Sequence, residues 1–167
     1  MRWRFSRTVG IGLATLSLSG CGFTPLYANH GVVQGLENVQ VVLGEHSRDG
    51  FLVVEQLNDQ LGRRQTDGAL KLGLKVYSRR VPRGVRVNNI ANRYELTMTV
   101  VYELSDAATT HVLTHDQFDV SATYDSADQP YAGVAAEQDG EQRAAGLAAD
   151  QLRLRLARFF AQRGHTP

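Results

Sequence analysis

Arginine is concentrated near the middle of the chain, in a stretch that also contains proline and glycine. Four arginines lie between positions 79 and 86 and a fifth follows shortly after: Arg79, Arg80, Arg83, Arg86 and Arg93. A planar guanidinium can hold a phosphate through two hydrogen bonds at once. The connection is longer than a tight hairpin needs, so we predict a loop that binds an anionic, phosphorylated ligand. A solvated loop kept soluble by its charge is the alternative.

Two lysines supply weaker candidates for the same chemistry. Lys71 and Lys75 share one face of a predicted strand with Tyr77. They could contact the same anionic ligand or simply face solvent.

Histidine and carboxylate side chains suggest a metal site at first inspection. His111 and His115 are four residues apart, with Asp116 beside the second. On a strand that spacing spans about 13 Å, too far for both histidines to bind one ion. We therefore predict solvent-facing histidines and no metal site.

Sequence motifs of catalysis and cofactor binding are missing from the chain. It has no nucleophile elbow, no glycine-rich phosphate loop and no cysteine–histidine pair. We predict a binding protein without a cofactor rather than an enzyme.

A single cysteine defines the N-terminal region. Three arginines precede an apolar run, Val9 to Leu18, which is too short to cross a bilayer of roughly 30 Å and which ends in Ser19-Gly20-Cys21. This pattern predicts a lipoprotein signal peptide over residues 1–20, with Cys21 acylated as the first mature residue. Gly22 after the cysteine favours the outer membrane. A plain signal peptide with an incidental cysteine is the alternative.

The charge balance argues against a nucleic-acid-binding protein. The chain has 18 Lys+Arg and 17 Asp+Glu. Three of those arginines belong to the predicted signal peptide, which leaves 15 against 17, a net charge of about −2. With its one thiol acylated, the mature chain can form no disulfide and must fold on its hydrophobic core.

Hydrophobic periodicity predicts the elements that position these residues. Alternation predicts strands near residues 39–44, 70–77, 93–104 and 112–124, the last two paired antiparallel. Helical spacing predicts one helix from Ser47 to about Arg64 and another reaching about Gln162. The order β-α-β-β-β-α predicts an α+β fold, with two helices packed on one face of a four-stranded mixed sheet. We expect a tether over residues 21–35, one domain over 36–163 and a tail over 164–167.

The last helix carries an apolar stripe that should lie on the sheet: Ala145, Ala148, Ala149, Leu152, Leu156, Phe159 and Phe160. Leu147 and Leu154 point nearly the opposite way. They are either ordinary exposed leucines or contacts for a partner.

The motif Cys21-Gly22-Phe23-Thr24-Pro25-Leu26-Tyr27 resembles the opening of the mature lipoproteins of the LptE family, which assemble lipopolysaccharide, especially its alphaproteobacterial branch. The resemblance implies two helices on a small mixed sheet and an acylated N-terminus at the periplasmic face of the outer membrane. It also implies a domain that sits inside the LptD β-barrel, helps it fold, plugs it and assists passage of lipopolysaccharide. Phe23, Pro25, Leu26 and Tyr27 would then dock on a partner or form a stiff tether that covers an edge of the domain.

Two other functions remain open at this point. One is a lipoprotein component of a phospholipid-trafficking ABC transport system. The other is a peptidoglycan-binding or hydrolytic lipoprotein, for which the sequence contains no recognisable site.

Overall fold

The structure, a computed structural model, describes residues 30–62, 68–85, 91–125 and 129–163. Three helices and four strands follow one another in the order α1 (His30–Glu37), β1 (Val39–Leu43), α2 (Arg48–Leu61), β2 (Leu70–Val85), β3 (Ala91–Asp106), β4 (Val112–Asp125) and α3 (Pro130–Arg163). The predicted α+β class and the order β-α-β-β-β-α are confirmed. The structure also contains the short helix α1 before β1, which was not predicted from the sequence.

The four strands form one mixed sheet in the order β1-β2-β3-β4. β1 runs parallel to β2, with Val39 beside Leu70, and the other two pairings are antiparallel. β2 and β3 form a hairpin with arms of 16 residues each. The predicted antiparallel pairing of the last two strands is confirmed.

The hydrophobic core lies between one face of the sheet and the helices. Alternation along the strands directs every second side chain toward α2 and α3, as for Leu72, Met98 and Val100, each at most 1% exposed. The predicted helical stripe packs on this face through Ala145, Ala148, Ala149, Leu152 and Leu156, all fully buried. Phe159 and Phe160 are only half-buried at its end.

Capping interactions fix both ends of α2. The Ser47 hydroxyl accepts a hydrogen bond from the Gly50 amide at 3.1 Å, which satisfies a free amide of the first turn. Gly62 ends the helix in the left-handed conformation at φ 85°, and its amide donates to the Asn58 carbonyl at 3.1 Å. The helix start predicted at Ser47 is confirmed.

Helix α1 occupies a segment predicted to be tether. Val32 is 1% exposed and Leu36 is also buried, and Gly35 faces the ring of Phe160 in α3. The prediction of a linker through Gly35 is therefore wrong for residues 30–35. A helix this short is stabilised by packing on its neighbours rather than by local propensity, so its composition gave little sign of it.

The second face of the sheet has no described element packed on it, and we call it the open face. The side chains that alternate with the core residues of β3, among them Arg93, Glu95, Thr97, Thr99 and Glu103, are exposed or half-buried there. One layer of helices and one uncovered sheet face therefore make up the described part of the molecule.

Candidate binding surface

The arginine-rich stretch belongs to the β2–β3 hairpin. β2 continues to Val85 and pairs with β3 through Val85 and Ala91, with irregular register between Pro82 and Val85. Arg79, Arg80 and Arg83 therefore lie on a strand, and the prediction that they occupy a loop is wrong. Backbone pairing with β3 extends β2 well past the point where its apolar alternation stops. Arg86 lies outside the described residues.

Strand alternation separates two arginines that are adjacent in sequence. Arg79 is paired in register with Thr97 and is exposed on the open face. Arg80 lies on the helix side, where its Nη1 donates to the Tyr124 hydroxyl at 3.2 Å and forms an ion pair with Glu137 of α3. Its guanidinium also lies 5.9 Å from the centre of the Tyr94 ring.

These contacts give Arg80 a structural role. The hydrogen bond to Tyr124 raises the pKa of Arg80, against a smaller opposing effect of burial. Its charge is thus held between the sheet and the first half of α3.

Two further arginines of the hairpin form ion pairs across strands. Arg83 pairs with Glu95, and Arg93 Nε lies 2.8 Å from Asp125 Oδ1. The hydrogen bond between Arg93 and Asp125 raises the pKa of the arginine and lowers the pKa of the carboxyl. Local carboxylates therefore balance much of the positive charge that the sequence concentrates here.

A row of exposed basic side chains runs along β2 on the open face. Lys71, Lys75 and Arg79 are all exposed and recur every fourth residue, about 13 Å apart along the strand. Within the described ranges, none of the three has an ion pair. We call these three residues the basic row. Tyr77, 49% exposed, lies between its last two members.

A shallow depression of about 250 Å³ interrupts the open face beside Lys75. It lies over Gly73, whose missing side chain leaves the space, between Val101 and Glu103 of β3. A Cβ atom on Gly73 would meet only the Glu103 carbonyl oxygen, at 3.8 Å. The depression could accept a small polar group beside the amine of Lys75.

Two apolar side chains at the start of α3 were not singled out from the sequence. Tyr131 is 93% exposed and Val134 is 56% exposed. Because Glu137 contacts Arg80, these residues lie toward the hairpin end of the sheet. The sequence could have indicated their exposure, because both positions lie outside the apolar stripe of α3.

The two leucines predicted on the outer face of α3 differ in exposure. Leu147 is 48% exposed, whereas Leu154 is half-buried. Both line a groove of about 550 Å³ whose other wall is β4 at Asp119, Val120 and Ser121. Their predicted contact with a partner stays a prediction.

The two histidines considered as metal ligands lie near the start of β4, one beside the turn and one on the strand. His111 is exposed beside the turn, and His115 is exposed on the strand. Asp116 forms an ion pair with Arg155 of α3. Across residues 30–62, 68–85, 91–125 and 129–163, no three or more metal-binding side chains come together.

The predicted N-terminal sites lie outside the described residues. They are Cys21, Phe23, Pro25, Leu26 and Tyr27. Among the helices that the structure does describe, none is both long enough and apolar enough to cross a membrane.

Comparison with protein families gives one match. The family model LptE, described as lipopolysaccharide-assembly, matches residues 36–156. No curated protein matches the sequence.

Solved structures agree with this match. A crystal structure of a protein of Caulobacter crescentus CB15 assigned as a lipoprotein shares 48% sequence identity, covering 82% of this chain and 98% of its own, with a TM-score of 0.69. The rare lipoprotein B of Shewanella oneidensis has the same fold at 16% identity, covering 76% of this chain and 98% of its own, with a TM-score of 0.58. Lipoprotein B of Nitrosomonas europaea, solved by NMR, shares 13% identity and a TM-score of 0.55, covering 74% of this chain and 83% of its own.

Proposed function

The chain belongs to the LptE family of lipopolysaccharide-assembly proteins, and we propose that it is an acylated outer-membrane lipoprotein that associates with an LptD-like β-barrel. In this proposal Cys21 carries the lipid anchor at the periplasmic face of the membrane. The domain assists barrel folding, plugs the lumen and helps lipopolysaccharide to pass. Its role is binding and assembly.

The open face of the sheet is the observation that carries the proposal. It presents charged and hydroxyl side chains that already bond to one another, as in the pairs Thr97–Ser121 at 3.1 Å and Thr99–Asp119 at 2.7 Å. The lumen of a transmembrane β-barrel is polar, so a domain inside it needs a rigid polar surface. A stiff sheet face with cross-strand hydrogen bonds meets that need.

The basic row is the proposed contact for lipopolysaccharide. Its amines and guanidinium are exposed and unpaired among the described residues, so a phosphate can bind without displacing a carboxylate. Arg83 and Arg93 would have to exchange Glu95 and Asp125 for the ligand, which makes them secondary contacts. Tyr131 and Val134 at the hairpin end offer apolar surface for acyl chains.

Affinity purification tests the association with a barrel. The acylated full-length protein is purified from detergent-solubilised outer membranes, and the co-purifying chains are identified by mass. We expect an LptD-like barrel in near-stoichiometric amount. Recovery of subunits of a phospholipid transporter, or of no partner, would favour the trafficking alternative and reject this proposal.

Charge reversal on the open face tests the lipopolysaccharide contact separately. The double variant Lys75→Glu/Arg79→Glu should weaken lipopolysaccharide binding while thermal unfolding is unchanged, because both side chains are exposed and neither has an ion pair among the described residues. Arg158→Glu, on the outer side of α3, is the matched control and should bind like wild type. Equal affinity of all three proteins would reject the basic row as the contact and leave the barrel association standing.

A further inference from the structure

Among the strands that the structure describes, β4 forms one edge of the sheet and has a neighbour on one side only. A free edge exposes alternate backbone amides and carbonyls that can pair with another strand. Two side-chain contacts identify which residues point outward. Arg143 Nη2 donates to the Thr123 carbonyl at 3.0 Å, and the Gln117 amide donates to Asp116 Oδ1 at 2.8 Å.

These two contacts cap the ends of a short window. Register along β4 is regular between Gln117 and Thr123, so Asp119 and Ser121 share their parity and direct their amides and carbonyls to the free edge. Within the described part of the chain, no hydrogen bond satisfies these groups. The window spans roughly 20 Å, enough for a partner strand of about six residues.

The part of β2 that extends beyond β1 is also an edge of the sheet, and it differs from β4. Beyond its pairing with β1, β2 carries Pro82, which has no amide to offer, and the Ser47 hydroxyl lies 3.5 Å from the Val76 carbonyl. Proline on an edge strand is a common protection against unwanted pairing. The window of β4 has no such residue.

The groove between β4 and α3 lies beside this window. Leu147 and Leu154 of α3 form the apolar wall opposite Val120. An added strand would direct every second side chain into this groove and the alternate ones to the open face. The groove therefore suits an extended segment with apolar residues at alternate positions.

Charges at the groove define the segment further. Arg158 is exposed at one end and has no ion pair within the described residues. Asp119 is exposed on the open face, where its described partner is the neutral hydroxyl of Thr99. An incoming strand is favoured when it brings a carboxylate toward Arg158 and a basic residue beside Asp119.

A second copy of the chain would bring a helical layer to this edge as well as a strand. Two-fold pairing of β4 with itself would place both α3 helices on the same side of the joined sheet. An extended segment of a partner would add only a strand and no helices.

We propose that the edge of β4 at Asp119–Ser121 is a docking site for an extended segment of a partner polypeptide, which adds a fifth strand to the sheet. The segment carries alternating apolar side chains that contact Leu147 and Leu154, with one acidic end near Arg158. Backbone hydrogen bonds supply its affinity and the groove supplies its selectivity.

Peptide binding tests this site on the full-length protein in detergent. The probe is a peptide of about eight residues in which valine and threonine alternate, with a glutamate at the end that faces Arg158 in the groove and a lysine three positions along, which faces Asp119 on the opposite side of the strand. A second peptide of the same sequence is N-methylated at alternate amides and cannot pair. We expect binding that protects the Asp119 and Ser121 amides from hydrogen exchange, and at least about tenfold weaker affinity for the methylated peptide.

Variants of the window and of the groove distinguish backbone pairing from other causes of peptide binding. Ser121→Pro removes one edge amide and should weaken binding about tenfold, whereas Ser121→Ala keeps that amide and should bind like wild type. Leu147→Glu, at an exposed position, should weaken binding without unfolding the protein, so the test stands even if the proline variant fails to fold. Equal binding of both peptides, no binding of the unmodified peptide, or protection of the window by self-association alone would each overturn the proposal.

Discussion

Arg79 and Arg80 are neighbours in sequence but have different roles, because successive side chains of a strand point to opposite faces of the sheet. Arg80 bonds to Tyr124 and Glu137 on the helix side, while Arg79 extends from the open face. Charge and spacing in the sequence group the two together. Only the strand geometry separates the arginine that bonds to the helix side from the one on the open face.

Replacing Arg80 should destabilise the fold. Arg80→Ala removes the hydrogen bond to Tyr124 and the contact with the Tyr94 ring, at a cost of about 1 kcal/mol in free energy of unfolding. Arg79→Ala, the adjacent control, should change it by less than about 0.5 kcal/mol. Urea unfolding measures both, and equal losses would contradict the structural role of Arg80.

A single carboxylate organises the turn between β3 and β4. Asp106 Oδ1 accepts hydrogen bonds from the amides of Thr109 at 2.8 Å and Ala108 at 3.0 Å, and from the Thr109 hydroxyl at 2.9 Å. The bond from the Thr109 amide is the main cause that lowers the pKa of Asp106 below its usual 3.8. Thr110 adopts a positive φ of 57° in the same turn.

The stabilisation by Asp106 should depend on pH. Because the folded-state pKa is lowered, ionised Asp106 stabilises the fold above its ordinary pKa, and that contribution is lost as the pH falls through the lower folded value. Wild type should therefore be more stable than Asp106→Asn near neutral pH, and the gap should narrow below about pH 4. Denaturant unfolding across this range measures it. A difference in unfolding free energy between the two proteins that stays constant at acidic pH would contradict the role of the Asp106 charge.

Elements with strict apolar alternation were predictable from the sequence, and elements stabilised by tertiary contact were not. Val120 and Met98 lie on strands whose period of two is plain. The end of β2 has arginine, proline and glycine instead, and pairing with β3 alone extends it to Val85. Helix α1 is likewise defined by its contact with α3, which no local pattern encodes.

The docking of α1 can be tested at Gly35. A Cβ at this position would lie 2.6 Å from Cγ of Phe160, so Gly35→Ala must displace the ring or the helix and should cost about 1–3 kcal/mol. Gly146→Ala is the control, since its Cβ meets nothing within 4 Å and alanine favours a helix interior by up to about 1 kcal/mol.

Thermal and urea unfolding compare these two glycine variants. Combining Gly35→Ala with Phe160→Leu should recover part of the loss, because the smaller side chain leaves room. A stable Gly35→Ala protein would mean that α1 does not pack on α3.

At the scale of the whole molecule, the junction between α1 and β1 and the far end of the arginine-rich hairpin lie at opposite ends of the sheet. α1 leads into β1, which begins beside Leu70 at the start of β2, whereas Val85 ends β2. The 16 residues of β2 separate these ends by roughly 50 Å. If Cys21 carries the lipid anchor as proposed, we expect α1 to lie near the membrane and the hairpin to lie farther from it.

This orientation gives a testable difference between two labelled positions. With Cys21 acylated, Gln34→Cys in α1 and Gln138→Cys near the start of α3 each introduce one free thiol at an exposed site. In vesicles that contain nitroxide lipid, a fluorophore at position 34 should be quenched more strongly than one at position 138, because α1 continues directly from the anchored segment. The control is Cys21→Ser combined with each labelled variant. Without the lipid anchor these proteins should leave the vesicles, so quenching should be abolished at either position. Equal quenching in the acylated proteins would mean that the domain lies flat on the membrane, with the basic row no farther from the lipid than α1.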